Sequence, residues 1–203
     1  MDSAEALRLA TCAAPGLCVD PSAITDVHSR SVCSLWGGCG AVIELSITCS
    51  SSSSASASSS LPALSSPIVF MAKVVDMPSD CGSLGDQRKK DSYDCEASFY
   101  ANGHADKLRL AGCAVPRPLF VERRGQRGDG TGGVTICMTR LQAAAAAQAA
   151  AASSTIDETR SRLVLTWLAR LHAEYWGIER ADAAVEAGLQ PQGGFWCVPG
   201  RLW

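Results

Sequence analysis

The sequence predicts an α+β fold, a sheet with one helix inside it followed by further helices. Three observations predict it. Val42 to Thr48 alternates in a β-branched pattern, and Ile68 to Val75 is an apolar run of strand length. A segment with capping residues at both ends, 92–102, falls between those strands and two later extended stretches. From Ile156 to Trp176, the residues Val164, Leu168, Leu171 and Tyr175 recur at helical spacing with Trp167 beside them.

Taken in order, residues 1–31 offer no defined element. Their opening, MDSAEALRLATCAAPG, carries Asp2 and Glu5 early and only a short, broken apolar stretch, so it makes a poor secretory signal. Val32 to Cys49 reads as two strands around a glycine-rich turn, and IVFMAKVV as a third strand. Met77 to Lys90 holds Pro, Gly and Asp and reads as loop. Asp91 or Ser92 caps the helix that runs to Asn102, Gly103 ends it, and Tyr93, Glu96, Ala97 and Tyr100 share one face. Pro116 and Pro118 keep Val115 to Glu122 extended. Arg123 to Gly133 reads as a charged hairpin turn with Arg123, Arg124 and Arg127 solvated at its tip, and Val134 to Met138 as a strand. Asp157 and Glu158 sit in the first turn of the long helix, where the dipole favours them, and Gly177 ends it. A short helix over 180–187 follows.

Two low-complexity runs interrupt this plan, serines at 50–60 and alanines at 143–152. Both read as insertions. The expected division is an undefined segment 1–31, a sheet lobe 32–142, the alanine insertion, and helices over 153–203.

Composition excludes several classes. Of 203 residues, 31 are Ala and 24 Ser, so the 47% hydrophobic fraction overstates the material for a core. A net charge of -2 leaves no footprint for nucleic acid. No window of 18 strongly apolar residues calls for a membrane span. The ten cysteines are scattered, with no C-x-x-C and no histidine near a cysteine pair, so zinc spacing is absent. They read as reduced, mostly buried small residues of a cytoplasmic protein.

The chemistry starts at Lys73, one of four lysines, placed in the middle of an apolar strand where an unpartnered charge is costly. Taken alone, it reads as an edge-strand lysine whose ammonium snorkels to water. Glu96 lies 23 residues on, on the helix face that carries Tyr93 and Tyr100. Gly37, Gly38 and Gly40 precede both, in the turn between the first two strands. A glycine turn lets backbone N–H groups approach an anion, a strand lysine holds nucleotide phosphates, and a helix glutamate holds the lysine.

The segments FMAKVV, KKDSYDCEASFYANG, VPRPLFVE, LTWLARLHAEYWG and GLQPQGGFW resemble the choline-kinase-like and aminoglycoside-phosphotransferase-like branch of the protein-kinase-like superfamily, in particular its ecdysteroid-kinase-like group. Members of that group show a strand lysine, a K-x-S-Y-x-x-E-x-x-F-Y helix, a V-P-x-P strand, an L-A-x-x-H-A helix and a G-L-x-x-x-G-x-Y-W segment. The resemblance spans about Ser34 to Trp196 outside the two runs. It implies a kinase-like N-terminal lobe, an antiparallel sheet plus one helix, followed by the first helices of an incomplete second lobe. It further implies that Lys73 contacts ATP phosphates, that Glu96 pairs with Lys73, and that Gly37, Gly38 and Gly40 line the phosphate loop. Backbone groups near Thr139 and Leu141 would hold adenine, although the acidic pair that precedes this leucine in the group is Thr139-Arg140 here. ATP and magnesium are the implied cofactors, and a small hydroxylated molecule the implied acceptor.

In that family the catalytic aspartate and the metal-binding aspartate follow the G-x-Y-W segment, and this sequence stops at Trp203. The expectation is therefore a partial kinase, inactive as residues 1–203. The alternative is a non-enzymatic, pseudokinase-type protein that binds nucleotide or a partner and self-associates through Phe195, Trp196, Leu202 and Trp203. Two look-alike motifs are set aside. His104-Ala105-Asp106 has the H-x-D form but reads as a solvated loop, and the G-x-G-x-x-G at 128–133 opens a strand, not a helix. His172, Trp167, Trp176 and Trp196 read as packing residues of the helical part.

Overall fold

A computed structural model describes residues 1–50, 66–78, 82–125, 131–141 and 157–191. The chain is α+β, with a five-stranded antiparallel sheet and several helices. It divides into two compact units. One holds Met1–Cys81 with Pro118–Thr139, the other Gly82–Arg117 with Arg140–Trp203. Residues 82–117, which the sequence division kept with the sheet, group by compactness with the later helices.

The first unit is the sheet. Strands β1 (Ile24–Ser34), β2 (Gly40–Cys49), β3 (Ile68–Pro78), β4 (Pro118–Arg124) and β5 (Thr131–Thr139) lie in the order β1-β2-β3-β5-β4. Alternation decides which residues face the core. Ile43, Leu45 and Ile47 of β2, Phe70 and Ala72 of β3, and Cys137 of β5 form one buried layer. Register places Ala72 opposite both Ile43 and Cys137, so the layer crosses three strands without a step.

Helix α1 (Ser3–Ala13) covers that layer with Ala6, Leu9, Ala10 and Ala13. This element lies within the stretch read as undefined. Its signal is present, because those four residues recur at i, i+3, i+4 and i+7, and alanine permits close approach to a sheet. Asp2 caps it, accepting from the Glu5 amide at 2.8 Å. Arg8 ties it to the sheet through Glu122 of β4 at 2.9 Å, with Glu5 alongside at 2.8 Å. Hydrogen bonds to these two carboxylates hold the Arg8 guanidinium firmly charged.

Strand β1 begins eight residues before Val32, the expected start. Its sequence, ITDVHSRSVCS, lacks an apolar face, since it is an edge strand exposed along most of its length. The expectation for 68–75 and 134–138 holds, and both strands extend further than expected.

The second unit is helical: α2 (Leu84–Ala101), α3 (His104–Leu110), α4 (Glu158–Glu174) and α5 (Ile178–Glu186). Helix α2 starts within the expected loop 77–90. Ser83 accepts from the Asp86 amide at 3.1 Å and donates to its carboxylate at 2.7 Å, a cap that precedes Asp91 and Ser92 by two turns. Ala105, Leu108, Cys113 and Val115 form the buried centre, lined by Phe99, Tyr100, Trp167, Leu171 and Tyr175.

Three readings in this unit are corrected. His104 is no solvated loop residue, since it opens α3 and is 6% exposed. His172 is exposed rather than packed, and Trp176 is 79% exposed. Trp167 is a packing residue as expected, donating its indole N–H to the Ala114 carbonyl at 3.2 Å. The serine run beyond Ser50, the alanine run, Arg127, Trp196 and the aromatic tail lie outside the described residues.

Candidate functional site

The sheet unit carries five of the seven residues singled out for nucleotide contact, Lys73, Gly37, Gly38, Gly40 and Thr139, while Glu96 and Leu141 group with the helical unit. Lys73 sits in the middle of β3, paired in register with Val42 on β2 and Ile136 on β5. Alternation puts it on the face opposite Phe70 and Ala72, away from α1. It is partly buried.

The glycine turn is anchored on the same strand. Leu35 donates to the Gly40 carbonyl at 2.8 Å, Gly38 donates to the Leu35 carbonyl at 3.1 Å, and Asp76 of β3 donates to the Cys39 carbonyl at 2.8 Å. Gly40 pairs with Val75, two residues from Lys73, or about 7 Å along the strand. Gly37 and Gly38 have φ of 75° and 71°, left-handed values that favour glycine. The two ends of this turn need glycine for different reasons. At Gly38 a Cβ would meet nothing within 4 Å, so the space beside it is open. At Gly40 a Cβ would collide with the Val74 carbonyl, so strand pairing alone demands glycine there.

Thr139 closes β5 opposite Phe70, three residues or about 10 Å on the other side of Lys73. Leu141 follows, 54% exposed. The lysine therefore lies between the glycine turn and the end of β5.

Glu96 lies on α2, in the helical unit, partly buried. Its charge acts on Tyr100, whose hydroxyl is pushed above the usual tyrosine range, first by burial and then by Glu96. That matches the shared face read from the sequence.

Sequence reasoning missed Arg124. Expected at a solvated tip, its side chain is only 11% exposed and bonds Asp76 at 2.8 Å and the Val75 carbonyl at 2.8 Å. It crosses β5 at Gly133, where a Cβ would collide with its guanidinium and with Val75. Neighbouring residues give no signal for it: an arginine two strands away reaches β3 only over a residue without a side chain, and it is the pairing of β4 and β3 on either side of β5 that sets Gly133 beneath it. Arg123 beside it is exposed, as expected.

As to cofactors, the glycine turn offers a left-handed backbone beside open space, which fits an anion, whereas Gly40 does not argue for one. Among the described residues, no group of three or more His, Cys, Asp or Glu could hold a metal ion. None of their helices is long and apolar enough to cross a membrane. No protein-family model, no curated protein and no solved structure matches this chain.

Proposed function

We propose that this chain carries the nucleotide-binding part of a cytoplasmic small-molecule kinase, an enzyme type that moves the terminal phosphoryl group of ATP to a hydroxyl with magnesium. The observation that supports it best is the arrangement on β3. A lysine in mid-strand lies two residues from the anchor of a left-handed glycine turn, and a glutamate-bearing helix follows in the chain. In this reading Lys73 holds phosphate oxygens as a point charge. Glu96 steadies the lysine, and the turn at Gly37, Gly38 and Gly40 covers the phosphates. The backbone from Thr139 to Leu141 receives the adenine. No described residue is assigned to magnesium or to proton transfer from the acceptor.

The test is direct binding to the 203-residue chain. A fluorescent ATP analogue should bind saturably, and Lys73→Ala should weaken it about tenfold or more, the scale of a lost charge-assisted bond. Glu96→Gln should weaken it less, since it acts through the lysine. Absence of saturable binding, or unchanged binding by a Lys73→Ala variant that melts like the parent, would reject the proposal.

A further inference from the structure

Helix α4 packs only one side onto its own unit. Trp167 and Leu171, with Tyr175 at its end, line the buried centre, yet none of the helix's 17 residues is fully buried. Glu158, Arg162, Leu165, Ala169, His172 and Trp176 fall on the opposite side, and all six are exposed. Their spacing is 4, 3, 4, 3 and 4 residues. That averages close to 3.5, the period at which two packed helices keep one seam facing each other.

The seam is charged at its ends and apolar or small in its middle. Leu165 is 63% exposed and Trp176 79%. Ala169, Ala173 and Trp176 share a shallow groove with His172 and Arg180. Arg180 follows the break at Gly177, and its bond to the Ala173 carbonyl at 3.0 Å holds it at the C-terminal end of α4. A single exposed leucine is ordinary, but a solvated helix face carries polar residues along its whole length.

We infer that a second copy of this chain docks on this seam, with the two α4 helices antiparallel about a two-fold axis at Ala169. The reason is that the seam complements its own reverse. Leu165 and Ala173 lie four residues to either side of Ala169, Arg162 and Trp176 seven, and Glu158 and Arg180 eleven. Reversal therefore sets leucine on alanine, a guanidinium over an indole, and a carboxylate against a guanidinium, each twice. Ala169 meets its own copy on the axis, where a small side chain lets the helices approach closely. No other occupant has to match the helix's own order read backwards. Helix α4 is about 26 Å long at 1.5 Å per residue. One such helix pair belongs with interfaces below about 1,200 Å², the range of transient complexes. The seam is independent of Lys73 and of nucleotide.

Sedimentation equilibrium of the 203-residue chain tests this, over concentrations from about 1 μM to 1 mM. The expected result is a monomer–dimer equilibrium. Ala169→Arg puts like charges on the axis at an exposed helical position, so it should leave a monomer whose melting temperature matches the parent. Glu158→Arg and Arg180→Glu should each weaken association about tenfold or more, because each variant alone sets like charges together at both ends. An equimolar mixture of those two variants should associate like the parent, since each supplies the charge the other has lost. A chain that stays monomeric at every concentration overturns the proposal, and so does one whose seam is covered by another segment of the same chain. A dimer that survives Ala169→Arg overturns it as well. So do charge variants that associate no better mixed than apart.

Discussion

At Gly40 a single methyl group decides whether two strands can pair. Its φ is 138° and the Val74 carbonyl occupies the place of a side chain. Gly40→Ala should therefore destabilise the sheet by about 3 kcal/mol or more, because the obstacle is backbone and cannot swing away. Gly38→Ala meets open space and carries only the left-handed penalty, about 1–2 kcal/mol. Denaturant unfolding of both variants gives the comparison, and equal costs would contradict it. Tyrosine titration is a second residue-scale test. Tyr100 and Tyr175 are both pushed above the usual range, each chiefly by burial and then by a neighbouring glutamate, Glu96 and Glu174 respectively. An acid whose folded pKa is raised lends stability that is complete below the unfolded value of about 10 and is lost as pH rises through the folded value. Tyrosinate absorbance should thus develop at higher pH in the folded chain than in denaturant. Tyr100→Phe and Tyr175→Phe should remove the late components, and melts should fall only above about pH 10.

Helix α1 shows how an element can be decided by small residues. Three of its four buried positions are alanine, and Leu9 is the one large side chain it sends into the sheet layer, fully buried. Leu9→Ala should cost about 2–5 kcal/mol by lost transfer energy and the cavity left behind. Thermal unfolding followed by circular dichroism checks it, and a change of a few tenths would mean that α1 is dispensable to the core. Leu7, half exposed on the same helix, is the matched control and should change little. The strands show the complementary case. β2 and β3 are legible because both faces are apolar in part, whereas β1 is polar because water covers it.

For the molecule as a whole, the cysteines report how evenly the fold protects its interior. The described cysteines carry no disulfide. Cys18 and Cys33 are exposed, while Cys39, Cys113 and Cys137 are buried. Burial pushes the Cys137 thiol up to about 12, with Cys12 adding to the effect, so its reactive thiolate is scarce at neutral pH. Alkylation of the native chain should therefore label Cys18 and Cys33 early and Cys137 only on unfolding, read by peptide mass. Early labelling of Cys137 would contradict its place beneath α1. The helical unit presents a different surface, with Leu163, Leu165, Trp176 and Ile178 all more than 60% exposed.

Periodicity, β-branching and capping chemistry sufficed for the α+β class, for β2, β3 and β5, and for the long helix α4. They also sufficed to single out Lys73 as a charge in an apolar strand. These are local properties, written in neighbouring residues. The tertiary structure decided what depends on distant ones. It made α1 a core element by setting alanines against a sheet, and β1 a strand by giving a polar segment a partner. It buried Arg124 by routing it over Gly133, and buried His104 by bringing Tyr175 from 71 residues away. Burial and pairing are energies of assembly, and a polar side chain shows no trace in sequence of the partner that will make its burial affordable.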